Sequence, residues 1–444
     1  MDSHNEIVTR SGSGDFTTGQ ANALFSKVTW RLVPLLFFCY IVAYIDRINV
    51  GFAKLQLRDV LGVDEAIFGS VYGFGAGLFF IGYFLFEVPS NLVLQRVGAR
   101  VWIARIMIVW GVVSSVMMFI NNTTQFYIMR FLLGAAEAGF YPGVILYLTY
   151  WFPAKERART VALFATGGVI AGIIGSPLSG IILDLQGAGG LEGWQWLFLL
   201  EGIPAVIMGL VILIALPNNP LKARWLSPGE KEYIQLRLDE ESQLNKGQTH
   251  FRFRDALLSR RVWLLCFLYF LLNVGGYGYE MWLPSIIKGF SGVSFSSVGL
   301  INAIPYLIAA IAMLVVGRHS DKTGERRWHV AAGAAASAVG FAFSAYLHNP
   351  YLAIIALTLA LVGLKSTLGP FWALSTAFLS GTAAAGGIAL INSVGNLGGF
   401  VGPMVVGVVN DRTGDSRIAL WLLGGSLLLM GIFALTIHQV SRKT

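Results

Sequence analysis

Charged residues are scarce in this sequence. Only 13% of its 444 residues are Asp, Glu, Lys or Arg, whereas soluble domains carry roughly 25%. Hydrophobic residues make up 55% of the chain, and its mean hydropathy is +0.66. This composition excludes an ordinary soluble domain and indicates a membrane protein.

Cysteine and histidine are also rare, with 2 and 6 residues respectively. Cys39 and Cys266 lie far apart in apolar segments and outside any Cys-x-x-Cys spacing, so neither a disulfide framework nor a metal site is predicted. The apolar segments contain no His cluster, no Ser/His/Asp set and no nucleotide-binding loop. We therefore predict that the protein is not an enzyme and uses no metal or other cofactor.

Apolar windows of about 20 residues, long enough to cross a bilayer as helices, recur along nearly the whole chain. They predict an all-α membrane protein with twelve transmembrane helices, at about 30–51, 66–92, 102–120, 125–150, 161–184, 194–216, 262–287, 296–317, 328–347, 352–379, 386–409 and 418–438. The longest polar segment divides these helices into two groups of six. The predicted organisation is a disordered cytoplasmic tail at 1–28, a six-helix bundle at 29–216, a cytoplasmic central loop at 217–261, a second bundle at 262–438 and a cytoplasmic tail at 439–444.

The basic residues predict the orientation in the membrane. With the amino terminus inside, the inside segments hold 23 of the 32 Lys and Arg residues and the outside loops hold 5. Because basic residues collect on the cytoplasmic side, both termini are predicted to be cytoplasmic in a multi-pass protein of the cell membrane, most simply a bacterial inner membrane. This bias also accounts for the net charge of +8 without a nucleic-acid partner.

Two pairs of motifs repeat between the halves. GRHSDKTGERR at 317–327 corresponds to NLVLQRVGAR at 91–100, and GSPLSGIILD at 175–184 corresponds to GPMVVGVVND at 402–411. Parallel repeats of six helices are a recurrent plan of transporters, with the substrate site near the midplane where the halves meet. We expect residues of the first motif pair, GRHSDKTGERR and NLVLQRVGAR, to act in gating or scaffolding. They are Gly317, Asp321, Lys322, Gly324, Arg326, Arg96 and Arg100.

GRHSDKTGERR resembles the loop motif of the major facilitator superfamily. A more specific resemblance, to the anion:cation symporter family of organic-acid permeases, is carried by YIDRINVGFA, FEVPSNLVLQRVGARVW, RFLLGAAEAGFYPGVILYLTYWFPAKERAR and GPFWALSTAFLSGTAAAGGIALINSVGNLGGFVGP. The resemblance implies two pseudo-symmetric six-helix bundles that import tartrate, sugar acids, phthalate or hydroxyphenylacetate with protons. Two residues depart from these patterns. Gln95 stands where the superfamily motif usually has Asp, and Ser375 stands where the family has Pro.

Six charged residues inside the predicted helices are candidates for function: Asp46 and Arg47 in the first helix, Arg130 and Glu137 in the fourth, Glu280 in the seventh and Lys365 in the tenth. A charge at a helix centre costs at least about 3 kcal/mol, so such residues usually face a cavity or a partner. Arg47 and Arg130 are predicted to bind carboxylate, because a guanidinium grips it with two hydrogen bonds.

Asp46 and Glu137 are predicted to couple protons, because an acid that loses its cation to a substrate anion takes up a proton. The alternative that remains open is a static ion pair between helices, either of Asp46 with Arg130 or of Glu137 with Arg47. Asp46 is expected to point toward the fourth helix. Glu280, predicted toward the outer end of its helix, fits an interfacial role as well as an outer gate.

Polar and aromatic residues complete the predicted binding site. Lys365 shares a helix face with Trp372 and could bind a second carboxylate or form a local tie. Tyr44 lies one turn before Arg47 on the same face. The remaining candidates lie in the second, seventh, tenth and eleventh predicted helices, and the resemblance implies that these helices line the cavity. These candidates are Tyr83, Tyr277, Trp372, Asn392 and Asn396.

The sequence thus predicts a monomeric importer of a small organic acid anion, coupled to protons. One alternative is a proton-coupled exporter of drugs or metabolites on the same fold. Its usual sign, an adjacent Gly-Pro in a Gly-rich fifth helix, is interrupted here by Ser176. A nutrient sensor would more commonly carry a larger cytoplasmic domain than the segment at 217–261.

Overall fold

Helices account for most of the described chain. The structure, a computed structural model, describes residues 16–246, 257–289, 293–378 and 382–437. Its helices are α1 (Thr18–Ile48), α2 (Val50–Leu61), α3 (Glu65–Val97), α4 (Ala99–Val116), α5 (Thr123–Glu137), α6 (Phe140–Thr149), α7 (Ala154–Ala165), α8 (Gly167–Leu183), α9 (Gly193–Ala215), α10 (Pro228–Lys246), α11 (Arg260–Lys288), α12 (Phe295–Thr323), α13 (Arg327–Tyr346), α14 (Pro350–Phe378), α15 (Thr382–Asn396), α16 (Gly398–Thr413) and α17 (Ser416–Leu435).

Twelve helical spans within the described residues are long and apolar enough to cross a membrane. Four spans consist of two helices each: the first (α1 and α2), the fourth (α5 and α6), the fifth (α7 and α8) and the eleventh (α15 and α16). The predicted fold class and the number of spans are therefore confirmed. Because the number is even, Thr18 and Leu435 lie on the same side of the molecule, which we call the terminal face, and the other side is the opposite face.

Two of these boundaries fall next to predicted site residues. Asn49, which separates α1 from α2 just after Arg47, keeps helical φ and ψ angles, whereas α5 ends at Glu137 in a true break at Ala138 and Gly139. Gly139 has a φ of +88°, in the left-handed region that glycine adopts readily. Non-helical backbone at membrane depth is tolerated where it is packed in protein or lines a cavity. The break after Glu137 therefore marks the fourth span as a place to look for a site.

Residues 16–28 of the tail predicted at 1–28 are ordered in the structure. Helix α1 begins at Thr18, and the Phe16 ring stacks on that of Tyr233 in α10, with a centroid distance of 4.4 Å. The prediction of disorder was wrong for residues 16–28, because local polarity does not reveal a packing partner more than 200 positions away. Residues 1–15 lie outside the described part of the chain.

The central segment contains a helix on the terminal face. Helix α10 joins the start of α1 through an ion pair in which Lys27 Nζ lies 2.8 Å from Glu230 Oε1. Trp225, just before α10, stacks on Trp151 at the end of the fourth span with a centroid distance of 5.8 Å. Trp225 and α10, which belong to the predicted loop at 217–261, thus pack against the first bundle.

The two six-helix halves contact each other closely near the opposite face. Helix α16 packs along α3, and α12 packs along α8. Glycines permit this approach: a Cβ atom on Gly73 would collide with the carbonyl oxygen of Pro403, and one on Gly299 would collide with that of Ser176. Both contacts join a helix of one half to a helix of the other.

Two aspartates reinforce these contacts at equivalent positions of the repeated motif. Asp184, after α8, accepts a hydrogen bond from the Ser296 amide of α12 over 3.0 Å. Asp411 of α16 accepts from the amides of Gly69 and Ser70 in α3, at 2.8 and 2.6 Å. Each half therefore contributes one aspartate that holds a helix of the other half at the opposite face.

Candidate binding cavity

A cavity of about 150 Å³ lies between the two halves. Side chains of the first, second, fourth, fifth, seventh, tenth and eleventh spans line it. The structure brings eight of the nine predicted substrate-binding residues to its wall: Tyr44, Arg47, Tyr83, Tyr277, Lys365, Trp372, Asn392 and Asn396. The wall also contains polar residues that the sequence did not single out for binding: Tyr40, Tyr141, Tyr269, Asn273 and Glu280.

Arg47 is one of the two cations at the wall of this cavity. Its guanidinium forms an ion pair with Glu137 and donates a hydrogen bond over 3.1 Å to the Tyr277 hydroxyl. It also lies 5.3 Å from the ring centroid of Tyr83 and 5.4 Å from that of Phe79, within the range of cation–π attraction. Both charged partners are buried, Arg47 with 9% exposed surface and Glu137 with none. The structure therefore contains the Glu137–Arg47 pair, one of the two ties left open above.

A second buried ion pair belongs to the other half. Lys365 Nζ of α14 lies 2.6 Å from Glu280 Oε1 of α11, and Tyr44 donates to both carboxylate oxygens over 3.0 Å. Glu280 lies in the last third of α11, as expected, but it is buried at the cavity wall instead of lying at the end of the helix. It lies eight residues before Lys288, the last residue of α11, and faces the cavity with 4% exposed surface. Sequence spacing alone did not reveal that Lys365 would meet it.

Arg130 and Asp46 lie apart from the cavity wall. Arg130 donates to the Ala76 carbonyl over 3.2 Å, and its Nε and Nη1 atoms have no hydrogen-bond partner among the described residues. Asp46 accepts hydrogen bonds from Trp110, over 2.6 Å, and from Ser114. The expected direction of Asp46 was therefore wrong, since these donors belong to α4, the third span. Adjacent helical residues point about 100° apart, so Asp46 faces away when Arg47 faces the cavity.

Sequence reasoning missed three further buried charges. Glu87 of α3 accepts from Asn392, over 2.7 Å, and from Ser393, over 2.6 Å, and so joins the two halves. Glu201 of α9 accepts from Ser179 over 2.7 Å. Both glutamates lie within predicted spans, so a complete search for charges in apolar windows would have found them.

Lys54 is the third of these charges. The sequence places it in a loop, but it lies in α2 with 8% exposed surface, and its Nζ atom is 3.0 Å from the ring centroid of Trp282. The predicted first helix ended too early to include it, because the polar residues beyond position 51 resemble a loop.

The predicted gating residues lie on the terminal face. Asp321 Oδ1 is 2.7 Å from Arg326 Nη1, so the loop between α12 and α13 is closed by an ion pair. Gly324 ends α12 with a φ of +68°. Arg96 and Arg100 flank the turn between α3 and α4 and are exposed, and so is Lys322, whereas Gly317 is partly exposed within α12. Their role in gating stays a prediction.

The cavity combines two cations with hydroxyl, amide and aromatic groups. Such a wall suits an anion that also offers hydroxyl or carboxylate oxygens, because guanidinium and ammonium bind carboxylate through charge-assisted hydrogen bonds. Among the described residues, no group of three or more His, Cys, Asp and Glu could hold a metal ion.

Comparisons with known proteins agree on the kind of protein. The sequence model of the Major Facilitator Superfamily matches residues 36–403. A putative tartrate transporter of Agrobacterium vitis is 47% identical over 94% of this chain and 92% of its own. A quinolone resistance transporter of Acinetobacter baumannii is 42% identical over 91% of this chain and 92% of its own. The inward open conformation of the xylose transporter XylE from E. coli superposes with a TM-score of 0.73 over 94% of this chain and 98% of its own, at 16% identity.

Proposed function

The chain belongs to the Major Facilitator Superfamily, and we propose that it imports a small organic acid anion together with protons by alternating access. The observation that carries the proposal is the buried ion pair of Arg47 and Glu137, whose cation lines the cavity. The relative named a putative tartrate transporter supports an organic acid as the substrate.

Arg47 is the proposed carboxylate-binding residue. Its planar fork can give two parallel hydrogen bonds to a carboxylate, and Tyr277 and Tyr83 hold the guanidinium in place from two sides. The side-chain amides of Asn392 and Asn396 lie on the same cavity. We assign them to the hydroxyl or carboxylate oxygens of the substrate.

Glu137 is the proposed proton-coupling residue. When a substrate carboxylate takes its place on Arg47, Glu137 becomes a buried carboxylate without its partner. An unpaired buried charge costs several kcal/mol, so the free energy favours a proton on Glu137 at that moment. Anion and proton are then bound together. They also leave together once the Arg47–Glu137 pair re-forms.

Asp46 is the second proposed proton-coupling residue, and Arg130 a supporting cation. Asp46 is held by the donors of α4 on the far side of α1 from the cavity. Arg130 interacts electrostatically with both Asp46 and Glu137. We therefore assign Arg130 to stabilising the two acids when they are ionised rather than to direct contact with the substrate.

The proposed orientation places the terminal face in the cytoplasm, as the excess of basic residues there indicates. From Arg47 the cavity wall continues toward this face through Tyr40, Tyr141 and Tyr269. Asp184 and Asp411 join the halves at the opposite face. The structure therefore corresponds to an inward-facing state in this proposal.

The moving units of the proposal are the two bundles, at 29–216 and 262–438, with the site between them. The loop that carries Asp321 and Arg326 would separate from its neighbours or dock on them as the terminal face opens and closes. One chain encloses the whole pathway, so the proposal requires no second subunit.

Drug export is the competing proposal, since one relative is named a quinolone resistance transporter. Pockets for drug-sized molecules usually measure about 300–1,000 Å³, and this cavity of about 150 Å³ is smaller. Its cations, Arg47 and Lys365, also suit a compact anion. We therefore favour the importer.

The proposal is tested with the purified chain in liposomes. An acidic exterior should drive accumulation of tartrate, gluconate or phthalate above its equilibrium level, and norfloxacin should not be exchanged for protons. Arg47→Ala should abolish acid uptake, and Arg58→Ala, at an exposed arginine near the end of α2, is the matched control. Uptake that ignores the proton gradient for every acid, or proton-driven export of norfloxacin, would overturn the proposal.

A further inference from the structure

The function proposed above assigns neither a substrate group nor a proton to the ion pair of Lys365 and Glu280. Both residues line the cavity, and their exposed surfaces are only 8% and 4%. Burying two charges carries a desolvation penalty, and a pair of apolar side chains would hold α11 and α14 together as well without that penalty. A charged pair retained at the cavity wall is better explained by what it can bind.

The pair repeats the Arg47–Glu137 pair at equivalent places of the two bundles. Tyr44 precedes Arg47 by three residues in the first span, and Tyr277 precedes Glu280 by three in the seventh. The partner comes from the fourth span in one bundle, as Glu137, and from the tenth in the other, as Lys365. The signs of the charges are exchanged between the bundles.

The two pairs are also linked across the cavity. Tyr44 of the first bundle donates to Glu280 of the second, and Arg47 of the first donates to Tyr277 of the second. Lys365 Nζ lies 3.1 Å from the Tyr44 hydroxyl. The cavity therefore presents two cations, each neutralised by its own carboxylate, to the same small volume.

We propose that the substrate is a dicarboxylate whose two carboxylates bind Arg47 and Lys365, and that Glu280 takes up a second proton. This inference rests on the proposed function, because it presupposes an anion at Arg47 and a proton at Glu137. Two protons then enter with each dianion. A monocarboxylate would use Arg47 alone and leave the pair of Lys365 and Glu280 intact.

The charges balance only with two protons. Each cation of the cavity wall is matched by one carboxylate, so the charges of the two pairs sum to zero. A bound dianion would leave two uncompensated negative charges unless Glu137 and Glu280 each form an O–H bond with a proton from water. Buried uncompensated charge is strongly unfavourable. On the cytoplasmic side both protons return to water as the original pairs re-form.

The surroundings of Glu280 fit this exchange. The titratable groups that face it are Lys365 of α14, Tyr44 of α1, Tyr306 of α12 and, on its own helix, Tyr277 and Tyr279. Lys365 is the one cation in contact with it among the described residues. The Tyr44 hydroxyl, which donates to Glu280 now, can accept from a protonated Glu280 and donate to the substrate.

The test uses the full chain in liposomes with three dicarboxylates, tartrate, succinate and galactarate, and the monoamide of each. A monoamide keeps the shape of its diacid but has one carboxylate. A tenfold proton ratio is worth about 1.4 kcal/mol per proton. At zero membrane potential, two protons should therefore accumulate a transported dianion about 100-fold, and one proton should accumulate its monoamide about tenfold. Uptake of the dianion should also be unaffected by an imposed membrane potential.

Two variants separate the parts of the inference. Glu280→Gln keeps Lys365 but removes one of the two protonation sites. Only one proton then moves with each dianion, so its uptake carries net charge and should become sensitive to the membrane potential. Lys365→Met with Glu280→Gln leaves no unpaired charge. It should lose preference for diacid over monoamide by about tenfold or more while keeping one-proton uptake of the monoamide. Arg237→Met with Glu240→Gln neutralises an exposed pair and is the matched control.

The inference is overturned if the double variant accumulates a dianion as the parent protein does. Proton-driven uptake of monoacids alone would overturn it too. In both cases the proposed import of an organic acid with protons would stand. Absence of proton-driven uptake for every acid tested would instead overturn the proposed function itself.

Discussion

Arg47 in the first span donates a hydrogen bond over 3.1 Å to the hydroxyl of Tyr277 in the seventh, across the boundary between the two bundles. The same guanidinium is paired with Glu137 of its own bundle. The position of this cation therefore depends on both halves of the protein, and the two contacts can be separated by mutation.

Tyr277→Phe should weaken substrate binding without abolishing it. The ring remains, and Arg47 keeps its ion pair. A single hydrogen bond contributes about 0.5–1.5 kcal/mol, so we expect the Kd to rise about 3- to 10-fold. Titration of the purified variant by ligand-induced thermal stabilisation measures this. Tyr279→Phe is the matched control, since the Tyr279 hydroxyl is buried without a hydrogen-bond partner among the described residues. An equal loss in both variants would contradict the prediction.

Glu137→Gln should separate exchange from accumulation. Glutamine keeps the shape of the side chain but cannot carry the proton, so substrate exchange across liposomes should persist while proton-driven accumulation disappears. Labelled-substrate counterflow and uptake under a pH gradient measure the two activities. Glu232→Gln, in α10 on the terminal face, serves as the control. Accumulation within twofold of the parent protein would remove Glu137 from the coupling mechanism.

The fold could be predicted because each transmembrane helix is recognised from the hydropathy of its own consecutive residues. Windows of about 20 apolar residues revealed all twelve spans. The wall of the cavity also followed, since eight of nine predicted binding residues reach it. Arg130 was the exception: its position in α5 reveals burial, but not that Phe79 and the Ala76 carbonyl of α3 stand beside it.

What the sequence could not predict depends on contacts between distant segments. Lys365 and Glu280 are 85 positions apart, and Asp46 meets Ser114 of α4 after 68. Helical periodicity shows which residues share a face but not which helix that face meets. The ordered start of α1 was missed for the same reason, since its partner is α10.

Gly299→Ala should favour opening at the opposite face. Its new methyl group would meet the Ser176 carbonyl of α8, so α12 and α8 would have to separate. Spin labels on Asp64→Cys and Gly414→Cys, which flank the ends of α3 and α16, should report a longer distance between the bundles. Gly425→Ala adds a methyl group where no atom lies within 4 Å and should leave the distance unchanged. An unchanged distance in Gly299→Ala would mean that the helices adjust locally instead of separating.

Trp110→Phe should destabilise the fold without weakening substrate binding. The Trp110 indole donates to Asp46 over 2.6 Å, and both side chains are fully buried, apart from the cavity. Removing a donor from a buried charged acceptor costs about 1–3 kcal/mol, so the midpoint of thermal unfolding in detergent should fall. Trp328→Phe, at a tryptophan that is 59% exposed, should leave the midpoint unchanged. Because Arg47 and the other residues of the cavity wall keep their contacts, the substrate Kd of Trp110→Phe should match that of the parent protein. A weaker Kd with an unchanged midpoint would place Trp110 in the binding site instead of in the support of Asp46.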